Sequence, residues 1–508
     1  MMQRISMGVR NNHVLLAIGR FLAEYGVAAG VGLLAGIISA RGRLDLMAGF
    51  TALIVGAAVV SSRKSLLWFV IIGGLVVTGI AQLYLPGAKY VRYLVPLASV
   101  GLIFHGTMSR VSKPNLSVPD NISALVLWAW AFIIVAIVST ALNWDGPGVA
   151  IQGLKGYFQM WVFFFGLLQI RWQPDVFRSL PRSILYIAFL QLPFVFHQYI
   201  FLVPKRVGIG GGIVPPDVVA GTFGANLYGG GSSAVLAAFM MIVIACLLGL
   251  WKHGSLSKAK TIAMSLLFLS PLFVNETKIS AVYLPLIYVL LFYKDILKRP
   301  WRFLMSGVAM LALMAALLMA LAIAQPSGKL HSISDLVQFT FSRQTASIDE
   351  RSGSSELSRW TSLTFWAKEH VHSNPVNILI GHGPGASRVS DTGLDLATTL
   401  AEKHYGGLPI GYTALSALLW DTGVLGLVSV LGMFFAGFRV AGWLCDYYRE
   451  RDPYQAGLFA GLQAGIAVLT LSLAHKDFFV FNIPYQTLVF LVFGYLLVYR
   501  TQFSNHTS

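Results

Sequence analysis

Between residues 325 and 409 the chain gathers Arg343, Arg351, Arg359 and Arg388 with His331, His370, His372, His382 and His404, beside eight carboxylates. A guanidinium keeps its charge at any working pH and pairs bidentately with phosphate oxygens, so the four arginines are candidate ligands for a diphosphate. A histidine can take a proton from a sugar hydroxyl near neutral pH; His404, with Glu402 close by, and His382 are the candidates for that role. His382 lies in Ile378-Leu-Ile-Gly-His-Gly-Pro-Gly-Ala-Ser387, an apolar run followed by a Gly-rich turn whose backbone N–H groups could cradle an anion, although it lacks the lysine and spacing of a P-loop. No metal site is expected, because His370 and His372 are two apart and point to different sides of a helix. No Ser/His/Asp arrangement can be assembled from spacing. Outside this region, Glu276 and Lys278 stand where two apolar segments join, and Asp421 falls inside an apolar run. Charge at that depth must be paired or must line a watery cavity; Lys278 reads as a candidate ligand, and Asp421 as a satisfied interhelical partner.

The elements that position these groups follow from composition. Of 508 residues 56% are hydrophobic and 11% charged, which excludes a water-soluble globule. The apolar runs are non-alternating, which excludes an outer-membrane barrel. At about 20 residues per span they define fourteen: 13–40, 44–60, 65–85, 93–108, 122–142, 153–170, 183–203, 232–251, 261–275, 278–293, 303–324, 410–437, 455–474 and 478–499. Arg20 and Glu24 interrupt the first, and no small-residue cleavage pattern stands out, so it reads as a span and not as a removed signal peptide. The net charge of +16 reflects topology and not nucleic acid: 21 basic residues fall in one alternate set of connections and 9 in the short connections of the other, placing both termini inside. Two cysteines, Cys246 and Cys445, both in or beside apolar runs, give no disulfide framework or zinc cluster.

The expected organisation is eleven spans over 1–324, a folded outer cap over 325–409, and three spans over 410–508. Within the cap, Ser355 to Val371 predicts an amphipathic helix with Leu357, Trp360, Leu363, Ala367 and Val371 on its apolar stripe and Ser355 as its cap. Asp391 to His404 predicts a second, closed by Gly406 and Gly407. Residues 204–231, opened by Lys205 and Arg206, carry a density of Gly and Pro that must line a protein-enclosed cavity or the water boundary.

Taken in order, Gly221-Thr-Phe-Gly-Ala-Asn226, Asn275-Glu-Thr-Lys-Ile-Ser280, Arg359-Trp360, Gly381-His-Gly-Pro-Gly385 and Leu418-Leu-Trp-Asp-Thr-Gly-Val-Leu-Gly426 resemble the O-antigen ligase and O-antigen polymerase family, over about residues 220–430. The resemblance implies an all-α polytopic membrane protein of the C-type glycosyltransferase kind, with one large helical periplasmic loop, in the bacterial inner membrane. It implies transfer of an undecaprenyl-diphosphate-linked glycan to an acceptor glycan without metal, nucleotide or other cofactor, with other polysaccharide assembly proteins as further partners. Arg359 matches a family arginine by position, with Arg343 and Arg351 near it; Arg388, Lys278 and Arg206 are further substrate-contact candidates read from the residues themselves. Thr277-Lys278 stands where the family has serine-arginine and keeps the positive charge. The family's histidine-asparagine pair falls on Tyr412-Thr413, which favours a polymerase of surface polysaccharide over a typical ligase and makes Tyr412 a substrate-contact candidate. Outside that class, a transporter or lipid flippase fits the composition equally and would show repeated halves.

Overall fold

The computed structural model describes residues 62–85, 91–112, 123–209, 215–228, 231–275, 277–301, 357–371, 374–389 and 399–503, with a few isolated positions besides. Residues Leu67–Ser508 form one compact unit, described below; Met1–Leu66 form another, nearly all of it outside the described residues. The predicted spans 13–40 and 44–60, and most of 303–324, also lie outside them.

Among the described residues there is no β-strand, and nine helices are long and apolar enough to cross a membrane. In chain order the helices are α1 (Arg63–Tyr84), α2 (Leu94–Ser112), α3 (Ala124–Leu142), α4 (Pro147–Phe158), α5 (Trp161–Gln169), α6 (Pro174–Gly208), α7 (Ser233–Lys252), α8 (Lys258–Val274), α9 (Ser280–Lys298), α10 (Arg359–His370), α11 (Pro375–Ile380), α12 (Leu400–Tyr405), α13 (Ala414–Tyr448), α14 (Pro453–Ser472), α15 (Phe478–Phe481) and α16 (Ile483–Phe503). The chain is a helical membrane protein. Its large outward side chains say so directly: Leu127, Trp130, Ile134 and Ile137 of α3 are all more than half exposed, which water would penalise and lipid does not.

Central and peripheral spans separate clearly. The apolar stretch of α16 is 94% buried and that of α7 83%, against 22% for the span of α2. The crossing of α7 and α14 is made by glycine: a Cβ on Gly249 would overlap the Gly457 carbonyl oxygen, and one on Gly461 would overlap the Cys246 backbone. With no hydrophobic drive between helices in lipid, such close approach supplies the dispersion contact that holds them.

The expected span 153–170 is broken. α4 ends at Phe158, Met160 leaves helical geometry at φ −110°, ψ 2°, and α5 starts at Trp161. A distant side chain serves the backbone at the break, Gln486 Nε2 donating to the Gly156 carbonyl at 2.9 Å, and the break's own Gln159 ties it to the bundle by donating from Nε2 to the Phe481 carbonyl at 3.0 Å. Such partners are what a freed carbonyl requires within a membrane.

Candidate functional site

The Gly-rich turn after α11 docks on the broken start of α13. Gly381, Gly383 and Gly385 all have positive φ (76°, 97° and 90°), a conformation that L side chains resist. Opposite them Gly423, at φ 65°, interrupts the helical geometry of α13. A Cβ on Gly423 would overlap the Leu379 carbonyl, and one on Gly153 of α4 the Pro384 carbonyl, so the turn is gripped from two sides.

The anion in this cradle is the protein's own. The Asp421 carboxylate, fully buried, accepts from Gly385 N (3.0 Å) and the Tyr157 hydroxyl (2.9 Å) through Oδ2, and from Ser387 N (2.7 Å) through Oδ1. The Asp421 carbonyl accepts from Gly383 N and the Ser139 hydroxyl, each at 2.9 Å, and Asn143 Nδ2 donates to the Gly381 carbonyl at 3.1 Å. The expectation that these N–H groups await a substrate anion is therefore corrected, because two of them are spent on Asp421. The reading of Asp421 as a satisfied interhelical partner holds.

His382 is held by the same junction, its backbone N–H donating to the Trp420 carbonyl at 2.8 Å. Its ring meets His370 of α10, Nε2 to Nε2 at 3.1 Å, while His370 Nδ1 lies 2.9 Å from the Trp366 carbonyl. That carbonyl only accepts, so in the neutral pair His370 carries its proton on Nδ1 and accepts at Nε2 from His382, which leaves the His382 lone pair on Nδ1. Burial first, then the neighbouring His370 and His404, pushes His382 down to about 4, and burial also lowers His370, against opposing contributions from the Trp366 carbonyl and Glu369. Trp420 is buried beneath both rings and packs with Leu357, Ala401, Leu408 and Ile410, flanked by Phe365, Trp366 and Tyr405.

This docking revises both expected cap helices. The first begins at Arg359 with Ser358 as N-cap, in a reciprocal capping box with Thr361, and not at Ser355. Its buried face is Ser362 and His370, with Phe365 and Trp366 partly buried; Trp360, Ala367 and Val371 of the expected stripe face outward, because aromatic contact with Trp420 decides the docking side. In the second, a helix over Leu400–Tyr405 is capped by Thr399 with Glu402 and closed by Gly406 at φ 59°, while residues 391–398 lie outside the described residues. Its Ala401 N–H donates to the Ala386 carbonyl at 3.0 Å, tying it to the Gly-rich turn.

The short connection between α14 and α16, residues 473–482, is where several predicted residues meet. Arg359 Nε donates to the His475 carbonyl at 2.9 Å, with Nη2 at 3.4 Å from His475 Nε2. Burial, then Arg359 and Lys476, holds His475 well below the usual histidine range. The Lys476 ammonium lies 5.5 Å from the Tyr412 ring centre, and the Arg388 guanidinium sits 4.0 Å over Phe481. Asn482 Nδ2 donates to the Ser232 hydroxyl at 2.9 Å, linking this connection to the Gly/Pro-rich segment. Asp477 is the one carboxylate in the connection.

The described middle of that segment, residues 215–225, is buried against protein, whereas Lys205, Val207 and Tyr228 are exposed. Val218, Val219, Ala220, Thr222 and Phe223 are fully buried. Two buried glutamines of α6 satisfy its backbone: Gln198 Oε1 accepts from Ala220 N (2.9 Å) and Gly221 N (2.8 Å) while its Nε2 donates to the Gly221 carbonyl (2.6 Å), and Gln191 Oε1 accepts from Thr222 N (2.8 Å). Ser233 donates to Asp217 at 3.1 Å. Arg206 is almost wholly buried near the start of this segment, and Lys278 is partly buried beside Asn275 and Thr277, where Asn275 Nδ2 lies 3.5 Å from the Ser233 carbonyl.

Of the sequence candidates, Arg359, Tyr412 and Arg388 thus converge on residues 473–482. His382 lies at the α13 junction, and His404 is exposed on α12 within electrostatic range of it. Arg343 and Arg351 lie outside the described residues, as does Glu276. Sequence reasoning missed Tyr157, Ser139 and Asn143, which carry no local signal, His475 and Lys476, which fall in the short turn between two predicted spans, and Asn482, which falls inside the predicted span 478–499. It also missed Gln191 and Gln198, whose signal was available: two amides seven apart share one face of an apolar helix. No protein-family model matches the chain, and no curated protein matches it.

Proposed function

We propose that the chain is a polysaccharide polymerase: a glycosyltransferase of the bacterial inner membrane that joins undecaprenyl-diphosphate-linked oligosaccharide units at the periplasmic face, with about fourteen spans, both termini cytoplasmic and residues 325–409 forming the periplasmic loop. The observation that carries the reading is the gathering of Arg359, Lys476 and Arg388 on one ten-residue connection beside Tyr412, at the end of the bundle where α13 begins. Three cations stand here against the one carboxylate of the connection, Asp477, a charge balance that suits a diphosphate.

In the proposed reaction the hydroxyl of an acceptor sugar attacks the anomeric carbon of the donor. The new glycosidic C–O bond forms as the bond to the diphosphate breaks, and the electron pair leaves with the diphosphate, where fixed cations stabilise the added charge. The proton passes to a base. His404, exposed on α12, is the proposed base, because His382 is held weakly basic by burial and would accept only at Nδ1. Asp421 has no part in the chemistry: its oxygens are engaged in holding the Gly-rich turn.

The test is polymer output, read on gels of lipid-linked glycan from cells that lack the protein and carry wild type, Arg359→Ala, Lys476→Ala or His404→Ala at matched membrane levels. Single lipid-linked units accumulating at the periplasmic face in the deletion and in Arg359→Ala support polymerisation. Long polymer left unattached makes the protein a ligase, and units trapped on the cytoplasmic side make it a flippase.

A further inference from the structure

At the end of the bundle opposite the α13 junction, a cavity of about 350 Å³ opens between α6, α7, α14 and α16. That volume lies within the range of about 300–1,000 Å³ typical of small-molecule sites. Leu185, Phe239, Leu247, Leu458 and Leu491 are among its walls; Arg182 and Tyr454, both exposed, also line it, as do Cys246 and the buried Tyr495. Pro181 also lines it. Pro181 lies inside α6, so its turn of the helix lacks one backbone hydrogen bond at the cavity wall.

Depth and charge identify the occupant. On α7 the lining runs from Phe239 to Leu250, about 16 Å at ~1.5 Å per residue, which is one leaflet of a hydrocarbon core about 30 Å thick. Arg182, in the lining, lies within electrostatic range of Tyr454, and Arg178 stands one turn before it on α6, within range of Tyr448 and Tyr499. The nearby Asp452 carboxylate is occupied as the N-cap of α14, accepting from Tyr454 N and Gln455 N. An apolar slot of single-leaflet depth with cations at its rim matches one acyl chain of an anionic phospholipid, its headgroup on the arginines. We infer that this cavity is a binding site for an anionic glycerophospholipid of the leaflet opposite the α13 junction, independent of the proposed glycosyl-transfer site.

The full chain, purified in mild detergent, is exchanged with dioleoyl phosphatidylglycerol, dioleoyl phosphatidylethanolamine or undecaprenyl phosphate and examined by native mass spectrometry. Wild type should keep one phosphatidylglycerol at collision energies that strip phosphatidylethanolamine, with at least fivefold more protein in the bound state. Arg182→Gln should bring the two phospholipids level, Arg182→Lys should restore the preference, and Leu247→Trp should abolish retention of both. Should Leu247→Trp not be monodisperse, the exposed Arg182 variants decide alone. Equal retention of both phospholipids by wild type overturns the inference, as does unchanged phosphatidylglycerol retention in Arg182→Gln. Preferential capture of undecaprenyl phosphate, lost in Arg182→Gln, overturns the assignment to a phospholipid.

Discussion

Replacing Asp421 tests whether the cap is anchored by a buried carboxylate. In Asp421→Ala three buried donors, Gly385 N, Ser387 N and the Tyr157 hydroxyl, lose their acceptor. At about 1–3 kcal/mol for each of the three orphaned groups the loss is about 3–9 kcal/mol, comparable with the whole stability of many domains, about 5–15 kcal/mol. Asp421→Asn keeps an oxygen for two of the three but turns an NH₂ toward the third, so one donor faces another and the cost is about 2 kcal/mol. Tyr157→Phe removes one bond to a charged acceptor and costs about 1.5–2 kcal/mol. The assay is the midpoint of heat-induced loss of the monodisperse peak in detergent, together with the rate of tryptic cleavage after Arg388, which lies in the docked turn. The expected order of destabilisation is Ala first, with Asn and Phe close together behind it, and cleavage after Arg388 should accelerate in parallel. If Asp421→Ala melts within a degree of wild type with Arg388 still protected, the anchoring argument is wrong. Full stability with loss of polymer in Asp421→Asn would instead place the carboxylate in the chemistry.

Three further outcomes follow from the same geometry. Gln198→Leu leaves the Ala220 and Gly221 N–H groups and the Gly221 carbonyl without their side-chain partner; it should cost about 2–4 kcal/mol, read as a lowered midpoint that exceeds the effect of an exposed glutamine-to-leucine change. Gly423→Ala places a Cβ into the Leu379 carbonyl at a positive φ, and should lower both the midpoint and polymer output while Gly254→Ala, where φ is also positive but nothing lies near, lowers neither below half of that effect. His382, His370 and His475 are all depressed, so the unfolded chain takes up protons first as pH falls below about 6.5; stability should be full above that pH and decline as the folded His382 value of about 4 is approached, and His382→Gln should flatten the decline in the melting midpoint measured from pH 7 to 4.5.

Apolar runs announce spans because a helix in lipid satisfies its own backbone, so α3, α7 and α14 are legible without any knowledge of neighbours. The break between α4 and α5 is illegible for the complementary reason: it is held by Gln486 and by the Phe481 carbonyl, more than 300 residues away. The cap shows how two correct local readings can still miss their relation. The Gly-rich turn was identifiable as an anion cradle and Asp421 as a charge in need of partners, yet spacing alone does not reveal that each is the other's answer, because only the kink at Gly423 brings them together. The helix at Arg359 was misphased because hydrophobic periodicity ranks Trp360, Ala367 and Val371 above Ser362 and His370. The structure ranks them by fit to the Trp420 ring, and the Ser358-Thr361 capping box, which sets the true start, was readable as a Ser-x-x-Thr spacing. The connection at 473–482 carries the same lesson toward function. The predicted spans leave only the short turn 475–477 here, but that turn receives Arg359 from 116 residues upstream through the His475 carbonyl, so the arginine most suggestive of substrate binding is positioned by backbone that has no chemical signature at all.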